Sequence, residues 1–166
     1  TKLVMLGAAL GLIRLLHSPG DEHELIRTIT TYLKNWSGCD AVGVRLRQGP
    51  DFPYFETRGF PEEFVRAENS LCRDAGPEES PRDGRGNPVL DCMCGNVLQG
   101  RFDPAQPFFT EHGSFWTNST SELLASTTEE ERLARTRNRC HGEGYESVAL
   151  IPVRRGGGDL RAASVQ

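Results

Sequence analysis

The sequence predicts an α+β fold, a central antiparallel sheet with helices packed on it and long connections between the strands. Three observations carry this. Two stretches with helical apolar spacing precede the first strand pattern, the short strand patterns are joined by hairpin-length turns, and a chain of 166 residues at 37% hydrophobic suits one domain with a sizeable core. A parallel sheet would instead need a helical crossover between its paired strands.

The first element is a helix over residues 3–16, where Leu3, Leu6, Leu10, Ile13 and Leu16 recur at helical spacing and Val4, Met5 and Leu12 widen the stripe. Ser18-Pro19-Gly20 stops it. Asp21 followed three residues later by Glu24 is the spacing of a capping box, and Leu25, Ile29, Leu33 and Trp36 give the new helix a face to bury before Gly38 ends it. Val42, Val44 and Leu46 then alternate with Gly43, Arg45 and Arg47, the pattern of a strand covered on one side. After a turn at 48–51, residues 53–58 can return antiparallel, with Pro53 held to the start because it cannot donate to the ladder. Pro61 suits the opening of a short helix carrying Phe64 and Val65.

Residues 73–87 are glycine, proline, serine and charge, and read as a mobile loop, a lid or an insertion. Asp91-Cys92-Met93-Cys94-Gly95 follows and concentrates two of the five cysteines. Beyond an irregular run with Pro104 and Pro107, residues 114–118 read as a strand and 121–125 as a helical turn. Thr127 with Glu130 opens a further helix through Leu133 towards Cys140, on which Arg132, Arg135, Arg137 and Arg139 form a solvated face or, alternatively, meet an anionic ligand. Residues 145–153 are apolar on both alternating sets, which predicts a central strand buried on both faces. A glycine-rich turn at 154–159 and a last strand over 160–165 complete the order.

A net charge of −4 with both signs interspersed offers no basic stripe for phosphate backbones, which argues against nucleic acid as a partner. The apolar stretch of residues 3–16 is too short to cross a bilayer and is not followed by a cleavage site of a secretory signal, so no membrane contact and a cytoplasmic location are expected. Five cysteines in that compartment point to thiols, metal ligands or redox groups rather than a disulfide framework.

The run Cys39-Asp40-Ala41-Val42-Gly43-Val44-Arg45-Leu46 and the run from Gly144 to Val153 resemble the first and penultimate strands of GAF domains. The similarity extends from about Leu12 to the C-terminus, and is greatest to the GAF modules that precede the kinase core of bacterial sensor histidine kinases. The resemblance implies a helix over residues 1–18 that pairs two copies, and a sensory domain over 19–166 with a ligand pocket between the sheet and its long connections. It further implies a small-molecule ligand, a homodimer formed through the N-terminal helix, and a kinase core in the parent protein of this non-enzymatic input module.

Three readings of the cysteines stand beside one another. If Asp91 caps a helix, residues two apart point to nearly opposite sides, and one of Cys92 and Cys94 faces the pocket, its thiolate favoured by the helix N-terminus. If the stretch is extended, Cys72, Cys92, Cys94 and Cys140 can make a four-thiolate site for zinc or an iron-sulfur cluster. In the third reading they are separate core residues, as Cys39 is in any case. His112 and His141 are candidate ligands for haem or a metal, against exposed positions beside glycine. Phe108, Phe109, Phe115 and Trp116 form an aromatic cluster from which Phe109 and Trp116 are taken as pocket residues with Cys92, Cys94 and His112. Besides the sensory domain, two other functions are open: a cysteine-based redox enzyme like the GAF-fold free-methionine sulfoxide reductases, and a dimerisation module with a vestigial pocket.

Overall fold

The computed structural model describes residues 2–17, 20–72, 80–154 and 160–165, and only the backbone over 154 and 160–165. Its elements are α1 (Lys2–Leu16), α2 (Glu22–Ser37), β1 (Val42–Arg45), β2 (Tyr54–Arg58), α3 (Glu62–Glu68), α4 (Cys92–Gln99), β3 (Phe115–Thr117), α5 (Thr120–Ser126), α6 (Arg139–Gly142), β4 (Val148–Arg154) and β5 (Leu160–Val165). The strands form one sheet in the order β2-β1-β5-β4-β3, every pairing antiparallel. The expected α+β architecture is therefore present, with β1 and β4 inside the sheet on either side of β5.

The register sorts the side chains between the two faces, because residues directly opposite on neighbouring strands share a face. Phe115 lies across from Leu150, Leu150 from Ser164, Ser164 from Gly43, and Gly43 from Thr57. Val148, Leu150 and Phe115 of that face pack on Met93 and Val97 of α4. The opposite face carries Val42 and Arg58, whose Nε donates to Thr31 of α2. α2 is set up as its sequence requires: Asp21 accepts the Glu24 N–H at 2.8 Å, and Gly38 closes the helix at φ 68°. Tyr32 of α2 donates to the Ala8 carbonyl of α1 at 3.0 Å, and its ring fills the space above Gly11.

Several local expectations differ from the fold. Arg45 is not on a solvent face but is 2% exposed: it donates to the carbonyls of Phe52, Glu68 and Asn69, and its guanidinium lies 3.6 Å from the Tyr54 ring centre. Conversely β4 is buried on one face only, since α2 covers β1 and β2 and leaves Ile151 and Val153 exposed. Trp36 is exposed as well, so the buried stripe of α2 ends before it.

The helix expected from Thr127 towards Cys140 does not form. A capping box closes one residue on from the expected Thr127 and Glu130, between Thr128 and Glu131, but after one turn the chain leaves helical geometry at Leu133, φ 57°. Arg132, placed on the solvated face of that helix, is instead buried and donates to Thr127. Of the polar loop, residues 80–90 are tied down by bridges of Arg82 with Pro88 and Cys72 with Leu90, and by Asp83 accepting the N–H groups of Arg85 and Asn87. Residues 73–79, the Ser18-Pro19 stop and the glycine-rich turn at 155–159 lie outside the described residues.

Candidate functional site

Helix α4 organises the covered face of the sheet. Asp91, in extended backbone, precedes it, and Gly100 ends it at φ 66° with its N–H on the carbonyls of Asn96 and Val97. Met93 and Val97, four residues apart, face the cluster of Phe108, Phe109, Phe115, Val148 and Leu150. Leu98 faces a second cluster of Phe52, Leu71, Cys72 and Leu90, and Cys94 packs against both. The helix sits so close to the chain before it that a Cβ on Gly95 would come within 2.5 Å of the Leu90 carbonyl oxygen.

The stretch that failed to become a helix crosses α4 and clamps it. Asn96 donates to the Arg132 carbonyl at 2.6 Å, the Cys92 N–H donates to the Arg135 carbonyl at 2.9 Å, and the Arg137 N–H approaches Cys92 Sγ at 3.3 Å. The Arg137 guanidinium reaches the carbonyls of Ser70 and Cys72, with Asp91 at 3.7 Å and Glu68 at 3.8 Å. These contacts hold Cys92 at φ 65°, a left-handed conformation costly for a residue with a Cβ.

A cavity of about 60 Å³ lies between this clamp and the sheet. Phe115, Val148 and Leu150 make its floor, Cys92, Met93 and Cys94 one wall, and Leu123 and Leu124 of α5 another, with Cys140 closing in from α6. Thr120, Thr136, Asn138, Arg139 and His141 lie at its border. Burial pushes the Cys92 thiol above its ordinary pKa, against the Arg137 N–H and guanidinium, and pushes Cys94 up to about 12. Both are therefore neutral thiols at physiological pH. Burial also raises the carboxyl of Glu68, although Arg137, Arg45 and Arg139 pull the other way. At the rim the effect is opposite: Glu146 accepts hydrogen bonds from Ser119, Ser121 and the Ser121 N–H, which hold its carboxyl down to about 2.

Of the residues singled out from the sequence, Cys92, Cys94 and Cys140 meet at the cavity. The reading that helical spacing sends one of Cys92 and Cys94 away does not hold, because the positive φ takes Cys92 off the helical path. Cys72 belongs to the second cluster, its thiol beside Asp51. Among the described residues no three His, Cys, Asp or Glu side chains are grouped to hold a metal ion, so the donor set does not fit a four-thiolate zinc or iron-sulfur site. This cavity is also far below the roughly 300–1,000 Å³ of pockets for molecules of drug size, so it does not accommodate haem. His112 pairs with Glu111 in solvent with 85% of its side chain exposed, away from the cavity. Trp116 faces outward, whereas its neighbour Phe115 faces the cavity, and Phe109 lies behind Phe115 at 6.1 Å between ring centres. His141, singled out as a candidate ligand, lies at the border of the cavity with Arg139, whereas Arg137, read as part of a solvated face or an anion contact, ties the clamp together, and Glu68 and Asn138 were not foreseen. The one sequence signal was Arg45 inside an apolar strand, which marks a buried cation in need of acceptors.

No family model matches the sequence, and no curated protein matches it. Solved structures do. The GAF domain of a phosphoenolpyruvate-protein phosphotransferase from Coxiella burnetii superposes with a TM-score of 0.61 at 11% identity, covering 99% of this chain and 77% of that one. The corresponding domain from Acinetobacter gives 0.60 at 13%, covering 98% and 76%. A GAF domain of A. aeolicus in an inactive state gives 0.57 at 11%, covering 99% and 79%. The chain thus has the GAF fold.

Proposed function

We propose that this chain is a sensory input domain of a cytoplasmic bacterial signalling protein, a histidine kinase by the resemblance of its strand sequences, and that it binds a small molecule in the cavity under α4. It catalyses no reaction itself. One observation supports this above the others: the cavity is walled by α4, α5 and the 135–141 stretch, and that stretch is tied both to Cys92 and, through Arg137 and Arg139, to Glu68 of α3. A ligand that fits one placement of this stretch better than another therefore shifts the balance between two states of the domain. The second copy in that two-state assembly pairs through α1. Native mass spectrometry of protein purified from cells, followed by sedimentation with and without the released compound, tests the reading. A ligand that changes the dimer is the expected result, and a protein that carries and responds to nothing across a metabolite panel would remove it.

The runner-up is a cysteine-based redox enzyme, on the ground that Cys92, Cys94 and Cys140 share one cavity. Against it stand the two raised thiol pKa values, since the thiolate is the nucleophile. Turnover with methionine sulfoxide and a reductant would restore it.

A further inference from the structure

The cavity also says what kind of ligand it takes, an inference that rests on reading it as the ligand site of a sensory module. Its exposed lining is almost wholly apolar, and Met93, Leu123, Leu124, Phe115, Val148 and Leu150 leave no buried charge pointing inward. The thiols of Cys92 and Cys94 do not alter this, because uncharged cysteine packs as a small hydrophobe. The hydrogen-bonding groups around it are committed elsewhere or lie at the border: Thr120 Oγ1 donates to the Tyr145 carbonyl at 2.9 Å, and Asn138 and Arg139 are exposed. An anion or a polyhydroxylated compound entering here would lose its hydration without new partners, which costs several kcal/mol for a charge even after relaxation, roughly as for a buried unpaired ion.

Size narrows the class again. An apolar protein cavity of roughly 150 Å³ accepts benzene or xenon, and a single water needs about 10–15 Å³. At about 60 Å³ the space under α4 is large enough for more than one water and too small for an aromatic ring. We infer that the cavity binds an uncharged, apolar molecule of about two to four heavy atoms, in the class of dissolved gases and short hydrocarbons, held by dispersion contacts with Met93, Phe115, Leu124 and the cysteine sulfurs. Such a ligand needs no metal to bind. Cys140 of α6 lines the cavity beside the exposed Asn138, Arg139 and His141.

Xenon serves as the probe, followed by the chemical shift of dissolved 129Xe as the protein is titrated. The wild-type chain is expected to give a saturable shift that neither benzene nor azide, an anion of similar size to the cavity, displaces. Cys140→Leu, which extends a side chain into the space, should weaken xenon binding at least about tenfold by filling it. Leu124→Ala enlarges the cavity and should retain xenon while admitting benzene, which keeps the site identifiable should Cys140→Leu fold poorly. Absence of a saturable shift, a shift that both variants leave unchanged, or displacement by azide would each overturn the inference. Sedimentation under the same xenon pressure separates it from the sensory reading. Xenon bound with the dimer unchanged leaves the ligand class standing and counts against the sensory role. A larger or charged compound that changes the dimer of a chain giving no xenon shift overturns the ligand class and leaves the sensory role intact.

Discussion

Cys92 owes its backbone to contacts made more than forty residues away. Its N–H is held by the Arg135 carbonyl and its sulfur by the Arg137 N–H, and the left-handed φ of 65° follows from satisfying both. Glycine adopts that conformation without the Cβ penalty, which is about 1–2 kcal/mol for other residues. In an ordinary helical position alanine is more favourable than glycine by about 1 kcal/mol, so the order should invert here. Urea denaturation of Cys92→Gly and Cys92→Ala should show the glycine variant the more stable by about 1 kcal/mol, and the reverse order would mean that the position is helical in solution. The same residue shows what a sequence conceals. The Asp-Cys-Met-Cys-Gly stretch was legible as the edge of a pocket from its place after the polar loop, but ideal helical spacing sent one cysteine away, and no local pattern announces a positive φ on a cysteine. His112 and Trp116 lie outside the cavity for a related reason: aromatic and imidazole side chains suit a pocket by type, but the alternation of β3 gives Phe115 the cavity and Trp116 the solvent.

Among the elements, α4 is packed directly against the main chain that leads into it. Gly95 lies inside the helix at negative φ, so a substitution there meets no backbone strain, only the Leu90 carbonyl oxygen at 2.5 Å and the Leu90 Cβ at 2.7 Å from the added carbon. Main chain cannot yield as a flexible side chain does. Gly95→Ala should therefore destabilise by about 1–3 kcal/mol despite the better helix propensity of alanine, read as a lower urea midpoint at unchanged slope. The start of α5 depends instead on charge. Glu146 accepts from Ser119, Ser121 and the Ser121 N–H, and its carboxyl is held down to about 2. A carboxyl lowered in the folded state contributes stability that is present above its unfolded pKa and lost as pH falls towards the folded one. Wild-type stability should accordingly fall between about pH 5 and pH 2 more steeply than that of Glu146→Gln, and parallel acid profiles would show that Glu146 carries no such linkage. Capping signals were legible at α2, where Asp21 and Glu24 open a full helix. At Thr128 and Glu131 the same signal closes but a single turn, because the burial of Arg132 and the grip of its carbonyl on Asn96 draw the following chain across α4.

At the scale of the molecule, the antiparallel sheet was legible because hairpin-length turns and strand-period apolar runs allow little else, whereas coverage of its faces was not. The strand that looked half exposed, β1, is buried through Arg45, and the strand that looked fully buried, β4, leaves Ile151 and Val153 uncovered. Coverage depends on where helices land, and α2 lands on β1 and β2. The same consideration bears on α1. It meets the rest of the chain through Ala8, Gly11 and Tyr32, and leaves Leu3, Val4, Met5, Leu6, Leu10, Ile13 and Leu16 between 48% and 84% exposed. Full burial of such a side chain contributes roughly 1.5–3 kcal/mol, so covering half of the surface these seven still expose, on two copies, gives on the order of 6–13 kcal/mol, against association costs of about 4–15 kcal/mol. Those figures bring the gain and the cost of pairing through α1 to the same size. No helix among the described residues is long and apolar enough to cross a membrane, α1 included. Sedimentation equilibrium of the wild-type chain should give a dimer, and Leu6→Glu with Leu10→Glu a monomer, since each places a charge that the paired helices would have to desolvate. The Tyr32 hydrogen bond to Ala8 is untouched by these substitutions, so the urea midpoint of the monomeric variant, compared with wild type diluted to monomer, should be unchanged. A dimer that survives both glutamates would place the contact elsewhere and leave the exposed face of α1 unexplained by pairing.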